Sequence, residues 1–231
     1  MDVQELIGNY PRLFHMAAAR SWPSIAAQGL LPTRDIVASS ALTEAERAAI
    51  LTQPRPRPVY LDHPALGAVT LRDQSPLHRH ILEAVLIDMT VPQWLATLND
   101  RIYFWLHPKR LATLLESRPN RDAEHDVLTV DTASLVAAHH GQIRLSAINS
   151  GATQWPSAPP RGAKTFLTIE DYPFTERRRG RTLDNAIAEL AVIGGVPDIA
   201  AHVVSVQRRH GLERGSPNPA FTQVQARSHA G

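Results

Sequence analysis

The chain has 231 residues, of which 43% are hydrophobic and 20% are charged, and its formal net charge is +2. These proportions are typical of one large globular domain and exclude a disordered acidic protein and a fibrous one. Without cysteine, the chain can form no disulfide scaffold, thiolate zinc site or cysteine nucleophile. We expect a cytoplasmic protein without membrane contact, because the sequence shows neither an apolar run of spanning length nor a basic and apolar leader.

Arginine supplies most of the positive charge, since Lys109 and Lys164 are the only lysines among 24 basic residues. This bias is typical of a GC-rich genome. The planar guanidinium of arginine also suits phosphate groups and base edges better than the ammonium of lysine does. The cluster Arg177-Arg178-Arg179-Gly180-Arg181 is therefore either a solvated loop or a contact to nucleic acid or to the phosphates of NAD.

The first hundred residues predict mainly helices. A short strand is predicted over residues 11–16, and the helix that follows it ends at Gly29. The run PRPRP at residues 54–58 predicts an extended connector within the domain. The predicted helix starts are Ser21-Trp22-Pro23, the capping box of Thr43 with Glu46, Ser75-Pro76, and the capping box of Thr90 with Gln93.

From residue 101 onward, short apolar runs of strand length replace the helical pattern. Two loops, residues 149–163 and 170–185, are long enough to be functional, and Asn149 to Gly162 has the composition of a mobile segment that covers a ligand or faces an acceptor. The predicted strands are residues 101–106, 126–132, 143–149, 164–169, 187–193 and 202–207.

These elements predict an α+β fold in which helices lie on one side of a split or strongly curved antiparallel sheet. Residues 1–208 are expected to form a single domain. The polar residues 209–231, which are rich in glycine and proline, are expected to form a disordered tail.

The histidines do not predict a metal site. His78 with His80 and His139 with His140 are the close pairs, and positions one or two apart on a helix do not share a face. Motifs for nucleotide-binding loops, zinc peptidases and nucleophilic serines are also absent from the sequence. We therefore expect no metal ion.

Polar and aromatic residues within apolar strands are the best candidates for chemistry. His15 is either a core histidine bonded to the backbone or a ligand-binding group. Glu189 must face solvent or have a partner, because burying an unpaired charge is costly. Tyr103, Phe104 and Trp105 follow one another, so at least one of them faces opposite to the other two.

Three segments resemble ADP-ribosyltransferases of the DarT type. The opening strand and helix of that family are similar to Leu13-Phe14-His15-Met16, Trp22-Pro23-Ser24-Ile25 and Gly29-Leu30-Leu31. Its strand with the catalytic glutamate is similar to Ala188-Glu189-Leu190-Ala191-Val192 with Val196-Pro197, and its central aromatic strand to Ile102-Tyr103-Phe104-Trp105. The chain also resembles a bacterial family of unknown function with the same pattern, whose other landmarks are Leu71-Arg72-Asp73-Gln74, Asn149-Ser150-Gly151 and Arg161-Gly162.

The resemblance implies an ADP-ribosyltransferase-like split antiparallel core that binds NAD as a co-substrate. His15, assisted by the backbone of Met16, would hold the ribose or the carboxamide, and Gly29 belongs to the same cofactor-binding set. Tyr103 or Phe104 would stack on nicotinamide. These residue types fit the chemistry, because cleavage of the NAD glycosidic bond needs donors for the hydroxyls and an aromatic platform.

The resemblance also implies two catalytic residues. Glu189 would stabilise the ribosyl cation and orient the nucleophile, and Arg72 would be the arginine near the reacting centre. The expected activity is mono-ADP-ribosyl transfer, with a nucleobase in DNA or RNA as the leading acceptor. A toxin-like role would add a cognate antitoxin as a partner.

Three alternatives to this activity stay open. An enzyme with the same fold could hydrolyse NAD, or it could process RNA ends. A non-catalytic module could bind a nucleotide or a partner protein without performing any reaction.

Overall fold

The computed structural model describes residues 1–72 and 74–211. Asp73, part of a predicted landmark, lies outside the described residues, and so does the predicted tail from residue 212 onward. No helix within the described ranges is long and apolar enough to cross a bilayer. The helices are α1 (Val3–Asn9), α2 (Trp22–Gln28), α3 (Thr33–Ala38), α4 (Glu44–Thr52), α5 (Arg79–Val85), α6 (Val91–Asn99), α7 (Pro108–Leu115), α8 (Thr132–His139), α9 (Phe174–Arg178) and α10 (Leu183–Ala186).

Most of the strands form one antiparallel sheet. The strands are β1 (Arg12–Ala18), β2 (Val59–His63), β3 (Gly67–Leu71), β4 (Arg101–Trp105), β5 (Glu124–Asp131), β6 (Ile143–Ser146), β7 (Glu189–Ile193) and β8 (Val203–His210). Six of them pair in the order β6-β7-β4-β1-β5-β8, and β2 pairs with β3 as a separate hairpin. The α+β class that the sequence predicts is therefore confirmed.

The sheet is split at its centre, between β1 and β4. β1 pairs with β5 along its whole length, from Arg12 to Ala18. Against β4 it has a single aligned pair, Phe14 with Trp105. Little backbone pairing therefore joins the half-sheet β6-β7-β4 to the half-sheet β1-β5-β8.

Helices cover both faces of this sheet, so the prediction that they lie on one side is wrong. Successive side chains of a strand point to opposite faces, and here both sets are apolar. The α1–α8 face buries Leu13, Phe104, Leu128, Leu145 and Leu190 against helices α1 and α8. The α6–α7 face carries Phe14, Met16, Tyr103, Trp105 and Ala191 against helices α5 to α7.

Three of the four predicted helix starts are confirmed, whereas the start at Ser75-Pro76 is wrong, because α5 begins only at Arg79. Thr43 and Thr90 both form the predicted capping boxes, with Glu46 and Gln93 respectively. The predicted helix that ends at Gly29 is confirmed as α2. In each case a side-chain cap or a proline in the first turn satisfies or removes backbone donors that a helix start leaves unpaired.

The predicted strand over residues 164–169 is wrong. Ala163–Thr165 forms a 3₁₀ turn instead, in which Gly162 N donates to Thr165 Oγ1 at 2.9 Å. Only Leu167 reaches the sheet, through an isolated bridge with Leu145. The local hydroxyl cap thus competes successfully with strand pairing at this position.

Two helices occupy chain that was predicted to be strand or connection. α7 begins with Pro108 in its first turn, and the His107 side chain accepts from Lys109 N. α8 begins where Asp131 accepts from Ser134 N at 2.9 Å, so the strand predicted over residues 126–132 ends at Asp131. At its other end the sheet extends further than predicted, because β8 continues to His210.

Candidate active site

Glu189 is the first residue of β7 and lies on the α6–α7 face, since its neighbour Leu190 faces the opposite core. Its cross-strand partners are Trp105 on β4 and Ser146 on β6. The residue is only 4% exposed. Of the two predicted alternatives, solvent exposure or a buried partner, the structure therefore shows the second.

Ser150 is the partner of Glu189. The Ser150 backbone N–H donates to Glu189 Oε2 at 3.1 Å, and the Ser150 hydroxyl donates to the same oxygen at 2.7 Å. No donor of a described residue reaches the other oxygen, Oε1, which is also not among the fully buried atoms without a partner. The protein thus holds one carboxylate oxygen and leaves the other available to a ligand.

Burial raises the pKa of Glu189 to about 7. The hydrogen bonds from Ser150 and the positive charges of Arg110 and Arg161 act in the opposite direction and only partly offset burial. Near neutral pH the carboxyl group is therefore divided between its charged and neutral forms. A carboxyl group perturbed by burial and by specific partners is a candidate for function.

Tyr103 is the predicted aromatic residue that shares a face with Glu189. It is half-buried, its hydroxyl donates to Leu98 O at 3.3 Å, and burial and the Glu189 charge both raise its pKa. Phe104 is fully buried in the core of the α1–α8 face, so of the two predicted stacking residues only Tyr103 shares the face of Glu189. Trp105, also half-buried, lies directly opposite Glu189 and was missed as a stacking candidate.

His15 lies where the pairing of β1 with β4 ends. Its Nδ1 is 2.9 Å from the carbonyl oxygen of Tyr103. Because that oxygen can only accept, Nδ1 carries the hydrogen and Nε2 keeps a lone pair. Burial, together with the smaller effect of the Arg72 charge, lowers the pKa of His15 to about 4. The ring is therefore neutral at pH 7, bonded to the backbone through one nitrogen and able to accept through the other.

His15 and Glu189 make no direct hydrogen bond. The alternation of β1 assigns His15 to the α1–α8 face, with Leu13, whereas Glu189 lies on the α6–α7 face. Tyr103 links them, because its carbonyl accepts from His15 and its ring shares the face of Glu189. The structure therefore places the two predicted residues on opposite faces of the sheet, with Tyr103 of β4 between them.

Met16 and Gly29, the other predicted cofactor-binding residues, have clear packing roles. The Met16 side chain lies in the core of the α6–α7 face, so only its backbone is available to a ligand. Gly29 has a φ of 85°, and a Cβ there would lie 2.5 Å from Pro197 Cα. Gly29 thus lets the end of α2 approach the turn that follows β7.

Arg72 acts on His15. Its guanidinium donates to Asn120 Oδ1 at 3.4 Å and lies 3.3 Å from His125 Nδ1. Its charge contributes to the low pKa of His15. The structure therefore places this predicted catalytic arginine on the His15 side of the split.

The arginines that act on Glu189 are Arg110 and Arg161. Sequence reasoning did not single out Arg110, which lies on α7 and bonds to Asp184 O and Asn185 Oδ1. Arg161 was named only as a family landmark. No sequence pattern links either arginine to Glu189, because the residues are far apart in the chain. Only the tertiary structure shows that their charges act on this carboxylate.

Arg161 also closes the loop that carries Ser150. It is 2% exposed and donates to the carbonyl oxygens of Pro159 at 2.8 Å and Asn149 at 3.1 Å, as well as to that of Ala152. These bonds join the two ends of the predicted functional loop. The loop therefore presents Ser150 to Glu189 from a fixed base.

Two cavities flank Ala147, the residue after Ser146 on β6. One measures about 340 Å³ and is bordered by Lys164 and Arg177, among others. The other measures about 510 Å³ and is lined by Arg110, Ala147, Gly180, Arg181, Thr182 and Asn185. Neither cavity is lined by His15 or Glu189. Both are lined in part by the exposed cluster of residues 177–181, the first by Arg177 and the second by Gly180 and Arg181.

The fold and the site define an α+β protein with a split antiparallel sheet and a buried carboxylate, bonded to a serine, at the start of strand β7. The chain belongs to a family of unknown function, DUF7002, whose model matches residues 11–203. That range contains every residue of the site described above. No curated protein matches the chain.

Proposed function

We propose that the protein is an NAD-dependent mono-ADP-ribosyltransferase. The observation that carries this proposal is the environment of Glu189. Its carboxylate is buried and held through Oε2 by Ser150, and two half-buried aromatic residues, Tyr103 and Trp105, share its face. A flat cationic ring and the ribose attached to it would meet complementary groups here.

The reaction breaks the bond between the ribose C1 of NAD and the nicotinamide nitrogen. The bonding electron pair leaves with nicotinamide, which becomes neutral, and the ribose acquires oxocarbenium character until the acceptor attacks its C1. A carboxylate stabilises that cation more strongly in the transition state than in the ground state. Glu189 Oε1, the oxygen that Ser150 leaves unoccupied, suits this role.

The split of the sheet supports the predicted contacts to the cofactor. Because β1 pairs with β4 only at Phe14, the β1 backbone from His15 onward has no aligned partner on that side. The carboxamide of NAD would form hydrogen bonds with this backbone, as a neighbouring strand otherwise does. The neutral His15 would accept from a ribose hydroxyl through Nε2 while its Nδ1 stays bonded to Tyr103 O.

The leading acceptor remains a nucleobase in DNA or RNA. The cavity of about 510 Å³ favours this class, because its lining includes Arg110 and Arg181 and the charge of Arg110 acts on Glu189. Phosphates bound there would lie near the reacting carboxylate. A toxin-like role and a cognate antitoxin stay predictions that follow from the same resemblance, and a cytoplasmic location stays a prediction that follows from the sequence pattern.

The experiment is to incubate the purified protein with NAD and single-stranded DNA, RNA or carrier protein. Nicotinamide release is followed by chromatography, and the acceptors are examined for the added mass of ADP-ribose. Glu189→Gln should lower turnover by about 100-fold or more, some 3 kcal/mol in barrier, without loss of fold. Glu124→Gln is the matched control, since Glu124 is also the first residue of a strand but is exposed.

The outcomes separate the alternative functions. Nicotinamide release without a labelled acceptor would indicate an NAD glycohydrolase. NAD binding without release would indicate a non-catalytic module, and a changed RNA terminus without consumption of NAD would indicate RNA-end processing. A fully active Glu189→Gln variant would overturn the mechanism.

A further inference from the structure

A cluster of two histidines and an aspartate lies beyond the C-terminal end of β7. His139, the last residue of α8, contacts Asp198, which follows β7 by five residues, and His202 precedes β8. Their ligand-type atoms all lie within 4.8 Å of one another. This cluster is separate from Glu189, because Glu189 begins β7 and Ile193, which ends it, lies about 13 Å further along the strand.

The carboxylate of Asp198 is held between the two imidazoles. His139 Nε2 lies 2.6 Å from Asp198 Oδ1, and His202 Nε2 lies 3.2 Å from Asp198 Oδ2. Tetrahedral ligands about 2.0 to 2.1 Å from a zinc ion are separated from each other by similar spacings of about 3.3 Å. Small side-chain movements therefore suffice to place an ion between the three groups.

The burial of these groups favours a built site. The side chains of His139 and His202 are 12% and 6% exposed, whereas that of Asp198 is 48% exposed. The histidines are thus held in fixed positions by the fold, and the carboxylate forms the open side. A cation here would also lie at the C-terminus of α8, where the helix dipole favours positive charge.

Ser134 supplies the outer support that metal-binding histidines require. Its Oγ lies 3.1 Å from His202 Nδ1 and 3.3 Å from Asp131 O. When Nε2 of His202 binds an ion, its hydrogen must move to Nδ1. The Ser134 hydroxyl can accept that hydrogen while donating its own to Asp131 O, so no polar group loses its partner.

We propose that His139, Asp198 and His202 bind a divalent transition-metal ion of the zinc class. Two imidazole nitrogens and one carboxylate favour such an ion over magnesium or calcium, which prefer all-oxygen sites. The exposed side of Asp198 leaves a position for water. The ion fastens the end of α8 to the segment between β7 and β8, and so to the half-sheet β1-β5-β8.

The proposed ligands are not the histidine pairs on which the sequence expectation of no metal ion rests. The members of the pairs His78/His80 and His139/His140 lie too close in the chain to share a helix face. His139 instead meets Asp198, which is 59 positions away in the chain. Only the packing of α8 against the β7–β8 connection brings the ligands together.

The experiment uses the full chain, stripped with a chelator and dialysed. Titration with ZnCl2 in a calorimeter should show one site, and the melting temperature should rise with zinc concentration because the ion binds the folded state. Magnesium should produce neither effect. The readout does not depend on NAD chemistry, so its failure is distinguishable from failure of the proposed function.

Variants identify the ligands. Asp198→Asn and His139→Asn should each weaken zinc binding by about tenfold or more, while circular dichroism shows the fold unchanged. His140→Asn is the matched control, because His140 forms an exposed two-group contact with Glu170 at 2.8 Å. Zinc affinity that is absent in the wild type, unchanged in Asp198→Asn, or lost in His140→Asn would overturn the proposal.

Discussion

His15 bonds to the carbonyl oxygen of Tyr103 at 2.9 Å, across the gap where their strands no longer pair. The imidazole thus takes the place of a backbone donor between β1 and β4. The bond fixes the ring with Nδ1 protonated and Nε2 free to accept. Both interpretations of His15, core histidine and ligand-binding group, are therefore compatible with this one geometry.

His15→Ala should weaken NAD binding. A buried ribose hydroxyl would lose its acceptor, which costs about 1 to 3 kcal/mol and corresponds to a dissociation constant higher by roughly 5- to 150-fold. Isothermal calorimetry measures the constant. Because burial lowers the pKa of His15 to about 4, the contribution of this ring should not change between pH 6 and pH 8.

The control for this variant is His80→Ala, since His80 is exposed on α5. It should bind NAD as the wild type does. A folded His15→Ala variant with unchanged affinity would show that His15 serves only to join β1 to β4.

Ser150→Ala should raise the pKa of Glu189 above its value of about 7. The variant loses the 2.7 Å hydroxyl bond and keeps the 3.1 Å backbone bond. A hydrogen bond to a charged group contributes about 1.5 to 3 kcal/mol, so the titration midpoint should rise by about one pH unit or more. Carbon-13 NMR of labelled glutamate, with Glu189→Gln to assign the signal, measures the midpoint.

Ser157→Ala is the matched control, because Ser157 lies exposed in the same loop. Its Glu189 titration should equal that of the wild type. An unchanged midpoint in Ser150→Ala would mean that the backbone N–H alone sets the charge of Glu189.

The sequence predicts the central strands, and it singles out His15 and Glu189 as candidates for the site. Glu189 and His15 were detectable because a polar side chain in an apolar run conflicts with its surroundings. Ser150 carries no such signal: it lies 39 positions from Glu189 and is one of many loop serines. Only tertiary structure reveals that its loop folds back onto the start of β7.

The difference between local signals and tertiary contacts also explains which parts of the fold were predicted wrongly. Capping boxes at Thr43 and Thr90 are complete within four residues, so they could be predicted. Whether residues 164–169 pair with another strand depends on what lies beside β6, which the local pattern does not encode. Likewise, Phe104 and Tyr103 differ in exposure because of helices that pack on each face, not because of their own side chains.

The two segments that carry the strongest resemblance contact each other directly. Leu30 and Val196 form an isolated antiparallel bridge, in which each N–H donates to the other's carbonyl at 2.9 Å. Glycines on both sides allow this close approach: a Cβ on Gly29 would overlap Pro197, and one on Gly195 would overlap Leu30 O. The bridge joins the end of α2 to the end of β7.

Gly29→Ala should therefore destabilise the protein, by about 2 to 4 kcal/mol. The φ of 85° is unfavourable for alanine, and the added Cβ would lie 2.5 Å from Pro197 Cα, so the backbone must shift. Urea denaturation measures the free energy of unfolding. Gly8→Ala is the control: it lies in α1 with no atom within 4 Å of the added Cβ, and it should be neutral or slightly stabilising. Equal stability of the two variants would contradict the packing role of Gly29.

Glu189→Gln should make the protein more stable at pH 8 than the wild type, even though it removes the proposed catalytic group. Burial raises the folded-state pKa from 4.5 to about 7, so the folded protein holds a proton that the unfolded chain has released within this window. The free energy of unfolding of the wild type then falls as pH rises from about 4.5 to about 7. Because each pKa unit corresponds to about 1.4 kcal/mol, the contribution of Glu189 to the free energy of unfolding falls by about 3 kcal/mol at most. Because glutamine does not titrate, the variant does not lose this part of its unfolding free energy as the pH rises.

The measurement is the difference in unfolding free energy between Glu189→Gln and the wild type, at pH 5 and at pH 8. Taking the difference removes the effect of His15, whose lowered pKa changes stability in the opposite direction over part of the same range. The difference should grow by about 2 to 3 kcal/mol toward pH 8, whereas Glu124→Gln, exposed at the start of β5, should show little change. A difference that stays constant with pH would mean that Glu189 is ionised throughout, with its charge fully compensated by Ser150, Arg110 and Arg161.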